Sequence, residues 1–420
     1  MSLGPSRRIL FIGLNYSPEP IGIGPYSAGL AEALVARGHK VTAIVGQPYY
    51  PEWRLDERYR GRWKNSVEHG VEITRCPHYV PGTPTGSRRM AHHLSFASSA
   101  YPPARMARRE HAPDMVLTVA PSMVAVPVAA RMARRAGVPL WLHVQDFEVG
   151  AAMATGLIEQ GSATAAAAAR FEERMLRSAQ TVSTISEPMC ALAVEKGVEP
   201  DRVVEIRNWA NHAERVAEGN GDTIRARWGL TGQTVALYSG NIANKQGLEI
   251  VVDAARILQH RRDLSFVICG EGPNRRHLET LAAGAENIQF HDLQPQEAIG
   301  DLLKMADIHL LPQTPAAADL VLPSKIGNML ASGRPIVATA AKGTGIAREL
   351  VDAGVIVPPQ DAQAFAWSID QLSRDPELRA RMGRVGRERA AHSWSRAAIV
   401  DQFETRMQLL LENWDQGCAG

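Results

Sequence analysis

Two successive series of short apolar runs, each alternating with helix-forming segments and separated by one polar stretch, constrain this chain more than any other feature. In the first series strands are predicted at Ile9–Leu14, Lys40–Val45, Val71–Cys76, Met115–Val119, Pro139–Val144 and Thr181–Ile185. Helices are predicted over 25–37, 89–110, 122–136, 161–178 and 187–196. Short apolar runs bounded by turn residues suit strands buried on both faces, and such strands need helices to cover a parallel sheet. Segment 161–178, GSATAAAAARFEERMLRS, shows the helical side of the pattern, with a Ser cap and strong helix formers.

The pattern resets after 208–232, which is polar, loop-rich and reads as a linker. Strands then follow at Thr234–Ser239, Ser265–Cys269, Ile288–His291, Ile308–Pro312, Pro335–Thr339 and Gly354–Val357. The helices between them are predicted over 246–259, 273–283, 295–305, 324–332 and 345–351, and 361–415 is mostly helical. A chain of 420 residues is too long for one core. The expected fold class is therefore α/β, with two Rossmann-like doubly wound domains facing a cleft. The domains are placed at 1–207 and 233–395, joined by the linker, with a helix and tail over 396–420 that crosses back to the first domain.

Pro20 to Ser27, PIGIGPYS, joins the first strand to the first helix and invites a dinucleotide-binding interpretation. That motif needs GxGxxG directly after the strand and an acid ending the second strand. Here Ser27 stands in the third glycine position, and the second strand ends Ile44-Val45-Gly46-Gln47-Pro48 without a carboxylate. Hydride transfer is therefore disfavoured. Gly22 and Gly24 still free backbone for close approach to a ligand, and Pro25 suits a first helical turn. The other explanation of these glycines is a tight turn.

The second half concentrates the features of phosphate binding. Tyr238 to Gly247, YSGNIANKQG, links a strand to a helix, with unhindered backbone at Gly240 and Asn241 and a charge at Lys245. Cys269-Gly270-Glu271-Gly272-Pro273 is a second strand-end turn, and Pro323-Ser324-Lys325 opens another helix. Leu293, past the strand ending at His291, is counted with the donor-binding positions. Three such turns in one domain fit a nucleoside diphosphate at the carboxyl ends of the strands.

The stretches LNYSPEPIGIGPYSAGLAEALVARGHKVTAIVG, WLHVQDFEVG, SGNIANKQGLE, GEGP, ADIHLLP and PSKIGNMLASGRPIVATA, in this order, resemble glycosyltransferase family 4. The resemblance runs from about residue 8 to 395 and is strongest to the colanic-acid-type branch of exopolysaccharide enzymes. It implies a GT-B fold and retaining transfer from a sugar nucleotide without a required metal, although Asp146-x-Glu148 could be mistaken for a metal-binding DxD. It also implies that Gly24 abuts the donor diphosphate and the acceptor pocket, and that Lys245 binds the diphosphate. Asn241 stands where relatives carry an Arg, a charge that Lys325 and Ser324 could replace. Asn328 and Leu320 stand where many relatives carry glutamates, which points to Asp319 as the sugar-side carboxylate and to Asn328 for the ribose. His143 and Asp146, in WLHVQDFE, would orient the acceptor or the donor sugar; a buried, satisfied histidine is the alternative for His143.

The expected reaction moves a hexosyl unit from a UDP- or GDP-sugar to a saccharide hydroxyl, with the leaving phosphate taking the acceptor proton. Lys245, Lys325 and backbone N–H groups would carry the developing charge. Rival functions are a sugar-nucleotide epimerase or hydrolase and a nonenzymatic sugar-nucleotide sensor.

Charge bears on the acceptor. Residues 1–150 hold 18 Lys and Arg against 11 Asp and Glu, a surplus of +7, whereas 151–420 hold 28 against 33, which is −5. Within the basic part, Gly86 to Phe96 and Arg105, Arg108 and Arg109 mix cations with apolar residues. Arg88 and Arg89, with Tyr26, are the acceptor or membrane candidates, suited to an anionic inner-membrane surface and a polyprenyl-diphosphate-linked saccharide. A solvated helix is the alternative. No recognition motif accompanies the charge, so nucleic acid is not an expected partner. No apolar stretch reaches the roughly 18–20 residues that span a bilayer. No signal peptide is read at the N-terminus, and Cys76, Cys190, Cys269 and Cys418 show neither CxxC nor zinc spacing. The expected location is the cytoplasm, with peripheral membrane attachment as an option; no cofactor and no metal are expected.

Overall fold

In the computed structural model, described for residues 4–147, 149, 161–243, 246–314 and 325–418, the chain divides into two compact units. The first comprises Met1–Arg207 and Val400–Gly420, and the second Asn208–Ile399.

The strands of the first unit are β1 (Arg8–Gly13), β2 (Lys40–Gly46), β3 (Lys64–Glu68), β4 (Val71–Cys76), β5 (Met115–Ala120), β6 (Leu140–Val144), β7 (Thr181–Thr184) and β8 (Val203–Glu205). They form one sheet in the order β3-β4-β2-β1-β5-β6-β7-β8. Every pair is parallel except β3–β4. Strands β5 and β6 are buried along their whole length, as continuous apolar runs covered on both faces must be. Leu10, Ile12, Ile44, Val116, Leu142 and Val182 belong to the core this creates. Strand β3 (KNSVE) is an unexpected edge strand, because its sequence is polar and mostly exposed. It exists because His69 and Gly70 both adopt positive φ, 49° and 81°, which closes a tight hairpin onto β4.

In the second unit β9 (Thr234–Ser239), β10 (Leu264–Cys269), β11 (Ile288–His291), β12 (Ile308–Leu311), β13 (Ile336–Thr339) and β14 (Gly354–Val357) form an all-parallel sheet. Its order is β11-β10-β9-β12-β13-β14. Residues 208–232, expected to be a linker, are instead part of this unit. They contain helices Ala213–Glu218 and Asp222–Arg227, which bury Val216 and Ile224. Ile224 and Leu230 share a core with Val235, Leu237, Val267 and Met305, and Arg225 pairs with Asp307 at 2.7 Å. Short helices that bury few apolar residues leave a mainly polar sequence, so composition alone suggested a loop.

Both sheets reverse their strand order once, between β1 and β5 and between β9 and β12. In open α/β sheets, ligands bind outside the carboxyl ends of the strands at such switch points.

The last helix, Arg396–Cys418, belongs to the first unit from Val400 onward, as the sequence led us to expect. The Phe403 ring lies 4.6 Å from the Trp141 ring of β6, centroid to centroid. Arg37 Nη1 donates to Glu404 at 2.8 Å, and His39 Nε2 lies 3.2 Å from the same carboxylate. Trp414 Nε1 donates to the Gly137 carbonyl at 3.0 Å.

Candidate active site

The second sheet's switch point lies between β9 and β12, and the loop after β9 begins at Gly240. Beyond the strands, this loop stays zipped to the one after β10. Gly240 N donates to the Cys269 carbonyl at 3.0 Å, Ile242 N to Glu271 at 2.8 Å, and Asn274 N to Ile242 at 3.1 Å. The contact is close enough that a Cβ on Gly272 would lie 2.2 Å from the Ile242 carbonyl oxygen, and one on Gly270 would strike that of Gly240. The glycines of GEGP are thus required for the close approach of the neighbouring loop. Glu271 itself is exposed and pairs with Arg275 at 2.7 Å. The Gly240 and Ile242 amides are likewise engaged within the protein rather than held for a ligand.

Lys325 supplies what those amides do not. It opens helix Lys325–Ala331, and its Nζ lies 4.3 Å from the Tyr238 ring centroid, over the face of the ring. The same ammonium is 3.5 Å from where a Gly240 Cβ would project. Burial pushes its pKa down from the ordinary lysine value to about 8. No carboxylate pairs with it among the described residues. Tyr238 donates its hydroxyl to the Asn241 carbonyl at 2.6 Å, fixing the loop over which the ammonium sits. The structure thus brings together two sequence signals far apart in the chain, Gly240 and Lys325.

Among the other second-unit candidates, Asn328 shares the helix that Lys325 opens. Asn328 accepts from the His212 amide through Oδ1 at 3.1 Å, which fixes the orientation of its side-chain amide. Leu293 is 66% exposed beyond β11. Lys245, Asp319 and Ser324 lie outside the described residues.

In the first unit, Gly22 has φ +75° and faces the Tyr50 ring, and Gly24 begins helix Gly24–Ala36, in which Tyr26 is half-buried. A Cβ on Gly24 would lie 3.0 Å from Glu19 Cβ and 3.1 Å from the Tyr16 carbonyl oxygen. Glu19 was not singled out from the sequence. Its carboxylate is 4% exposed and accepts from Asn15 Nδ2 at 3.0 Å and from the Tyr49 and Tyr50 amides at 3.2 Å each. Burial raises its pKa to about 7 despite those donors. An acid between two prolines in a loop gives only a weak sequence signal.

His143, near the carboxyl end of β6, is buried, with Nδ1 2.8 Å from Ser183 Oγ, which also accepts from Trp141 Nε1 at 2.8 Å. Burial pushes its pKa down to about 4, so it is a neutral imidazole near pH 7. Asp146 is exposed just beyond the strand, and Glu148 lies outside the described residues. Arg88 and Arg89 are exposed at the start of helix Gly86–His111, and Arg89 lies 5.6 Å from the Trp53 ring centroid. Met90, Leu94 and Met106 are exposed on the same helix.

Residues 22–209 match the family model described as a glycosyl transferase 4-like domain, and residues 220–389 the one described as glycosyl transferases group 1. The chain is 38% identical over 407 residues to an Escherichia coli K12 protein named as a colanic acid biosynthesis glycosyl transferase, WcaI. That alignment covers 94% of this chain and 98% of the relative. It is 28% identical over 279 residues to the alpha-D-kanosaminyltransferase of Streptomyces kanamyceticus, covering 65% and 71%. Among solved structures, sucrose-phosphate synthase from Thermosynechococcus elongatus superposes with a TM-score of 0.68 at 18% identity, over 97% of this chain and 100% of that one. Anabaena HepE in complex with UDP gives 0.66 at 17%, over 96% and 99%. At such identities these two likenesses establish the GT-B fold.

Proposed function

The chain belongs to the glycosyltransferases that join a 4-like domain to a group 1 domain, and from that premise we propose that it moves a hexosyl unit from a UDP- or GDP-sugar to a saccharide hydroxyl with retention at the anomeric carbon. The observation that carries the donor assignment is the Lys325 ammonium over Tyr238, without a carboxylate partner among the described residues and beside the Gly240 loop at a sheet switch point. As the sugar–phosphate bond breaks, charge grows on the departing diphosphate. A positioned, poorly solvated ammonium stabilises that charge more than it stabilises the ground state. Lys325 and Lys245 take this role in place of a metal ion, and the leaving phosphate accepts the acceptor's proton on the face where attack occurs.

The acceptor we assign is a polyprenyl-diphosphate-linked intermediate of bacterial exopolysaccharide. The support is the 38% identity to a protein named for colanic acid biosynthesis. The donor is tested by screening UDP- and GDP-sugars for thermal stabilisation, then measuring nucleoside diphosphate release with and without acceptor. Release that needs no acceptor would mark a hydrolase, and donor binding without any turnover would mark a sensor.

No helix among the described residues is long and apolar enough to cross a membrane. Helix Gly86–His111 instead combines exposed Arg88, Arg89, Arg105 and Arg109 with exposed Met90, Leu94 and Met106, which suits an anionic bilayer surface. The protein is expected to sediment with anionic liposomes, and the Arg88→Ala/Arg89→Ala variant to sediment less. Wild-type protein that stays in the supernatant would remove the membrane role.

A further inference from the structure

Glu19 joins two loops at the carboxyl edge of the first sheet. The loop after β1 contributes Asn15, whose amide donates to Oε2. The loop after β2 contributes the backbone N–H groups of Tyr49 and Tyr50, both donating to Oε1. Gly24 presses against Glu19 and Gly22 against the Tyr50 ring, so the glycine-rich segment is packed around this carboxylate. The edge lies beside the β1–β5 switch point, where a doubly wound sheet offers its ligand site. Building on the glycosyltransferase function proposed above, we propose that Glu19 is a positioning residue for transfer, whose ionised carboxylate clasps these two loops into the shape that receives the acceptor.

The requirement for ionisation follows from the donors. Three N–H groups converge on two oxygens, and a carboxylic acid would turn one of those acceptors into a donor facing the Asn15 amide. Other charged and titratable groups pack around this carboxylate. Arg75 on β4 pairs with Glu68 on β3 at 2.8 Å. Burial keeps His78 neutral, with a pKa of about 4, and pushes His92 of helix Gly86–His111 down as well; both rings pack on Tyr49. Tyr16, influenced by Glu32 of helix Gly24–Ala36, is pushed up by burial and stays protonated. Glu19, raised by burial to about 7, changes charge near neutrality.

The clasp also opposes stability. The unfolded carboxyl titrates near its ordinary 4.5 and the folded one near 7, so the folded state holds an extra proton between those values. Its stabilising contribution is complete below pH 4.5 and is lost as pH rises through 7. A charge that weakens the fold at working pH is what a role in activity predicts.

Glu19→Gln imitates the protonated state and tests this directly. Wild-type kcat/KM for acceptor is expected to lose about tenfold per pH unit on an acidic limb below about 7. The Gln variant should lack that limb, yet have a higher Tm than wild type at pH 8 and an equal one below about pH 4. Retention of the wild-type limb, or a lower Tm at pH 8, would overturn the proposal. Should wild type transfer no sugar at any pH, the proposed function fails instead, and amide hydrogen exchange decides the clasp without activity. Faster exchange of Tyr49 and Tyr50 N–H in Glu19→Ala supports it, and unchanged exchange refutes it.

Discussion

Lys325→Ala is expected to lower sugar transfer by roughly 10²–10³-fold, the loss that follows removal of one preorganised charge-stabilising donor. The protein should remain folded, because Nζ has no carboxylate partner among the described residues to leave stranded. Stability should even rise slightly. A lysine whose folded pKa is about 8 is less well accommodated as a cation than the same lysine in the unfolded chain near 10.5, so its charge weakens the fold below pH 8. The diphosphate of the proposed donor would reverse that preference by supplying an anion. Two consequences separate this role from general damage. Free-enzyme kcat/KM for donor should fall as pH rises through about 8, where the ammonium loses its proton. Lys325→Arg should lack that limb, since a guanidinium stays charged, while transferring more slowly than wild type because its planar fork does not reproduce a compact point charge. Lys245→Ala is expected to cost a similar factor. The double variant should lose less than the product of the two, as both lysines are proposed to act on one diphosphate. Near-wild-type turnover in Lys325→Ala would end the donor-site assignment.

How well the sequence anticipated this site varies with the kind of signal each residue leaves. Strands such as Met115–Ala120 and Leu264–Cys269 are continuous apolar runs, and a run buried on both faces announces itself. Strand β3 is an exposed edge held by a two-residue turn, so neither burial nor alternation marks it. Lys325 was visible because a lysine opening a helix after a turn is a local pattern. Its contact with Tyr238 was not, since it depends on which strands flank the switch point. The packing of the Gly270-Glu271-Gly272 turn was hidden for the same reason: a glycine freeing backbone for a phosphate and one freeing it for a neighbouring loop look identical in one dimension. Glu19 is the extreme case. Its donors come from the following loop and from a nearby asparagine, and its neutral-range titration arises from burial that no local pattern encodes.

Glu404→Ala is expected to destabilise the first unit by about 3 kcal/mol, the lower end of the range for breaking a buried ion pair. Glu404 is fully buried on the last helix, where it accepts from Arg37 Nη1 at 2.8 Å and meets His39 Nε2 at 3.2 Å. Removing it strands the polar ends of helix Gly24–Ala36 and of the turn before β2 against an apolar helix face. The cost should not reach the top of the range, because Arg37 keeps a second partner in Asp401 at 2.5 Å, and that carboxylate is half-exposed. Asp401→Ala, losing the exposed partner alone, should cost no more than about 1 kcal/mol. Glu404→Gln, which preserves shape and an acceptor oxygen, should fall between the two. Amide hydrogen exchange separates the units: protection in β1 and β2 should drop in Glu404→Ala while β9 and β10 hold theirs. A Glu404→Ala protein within about 0.5 kcal/mol of wild type would mean that the Phe403–Trp141 contact and the rest of the helix's apolar face suffice to hold it. The larger loss would show that the chain's end is fixed to the first sheet by a specific polar contact, which apolar packing alone does not replace.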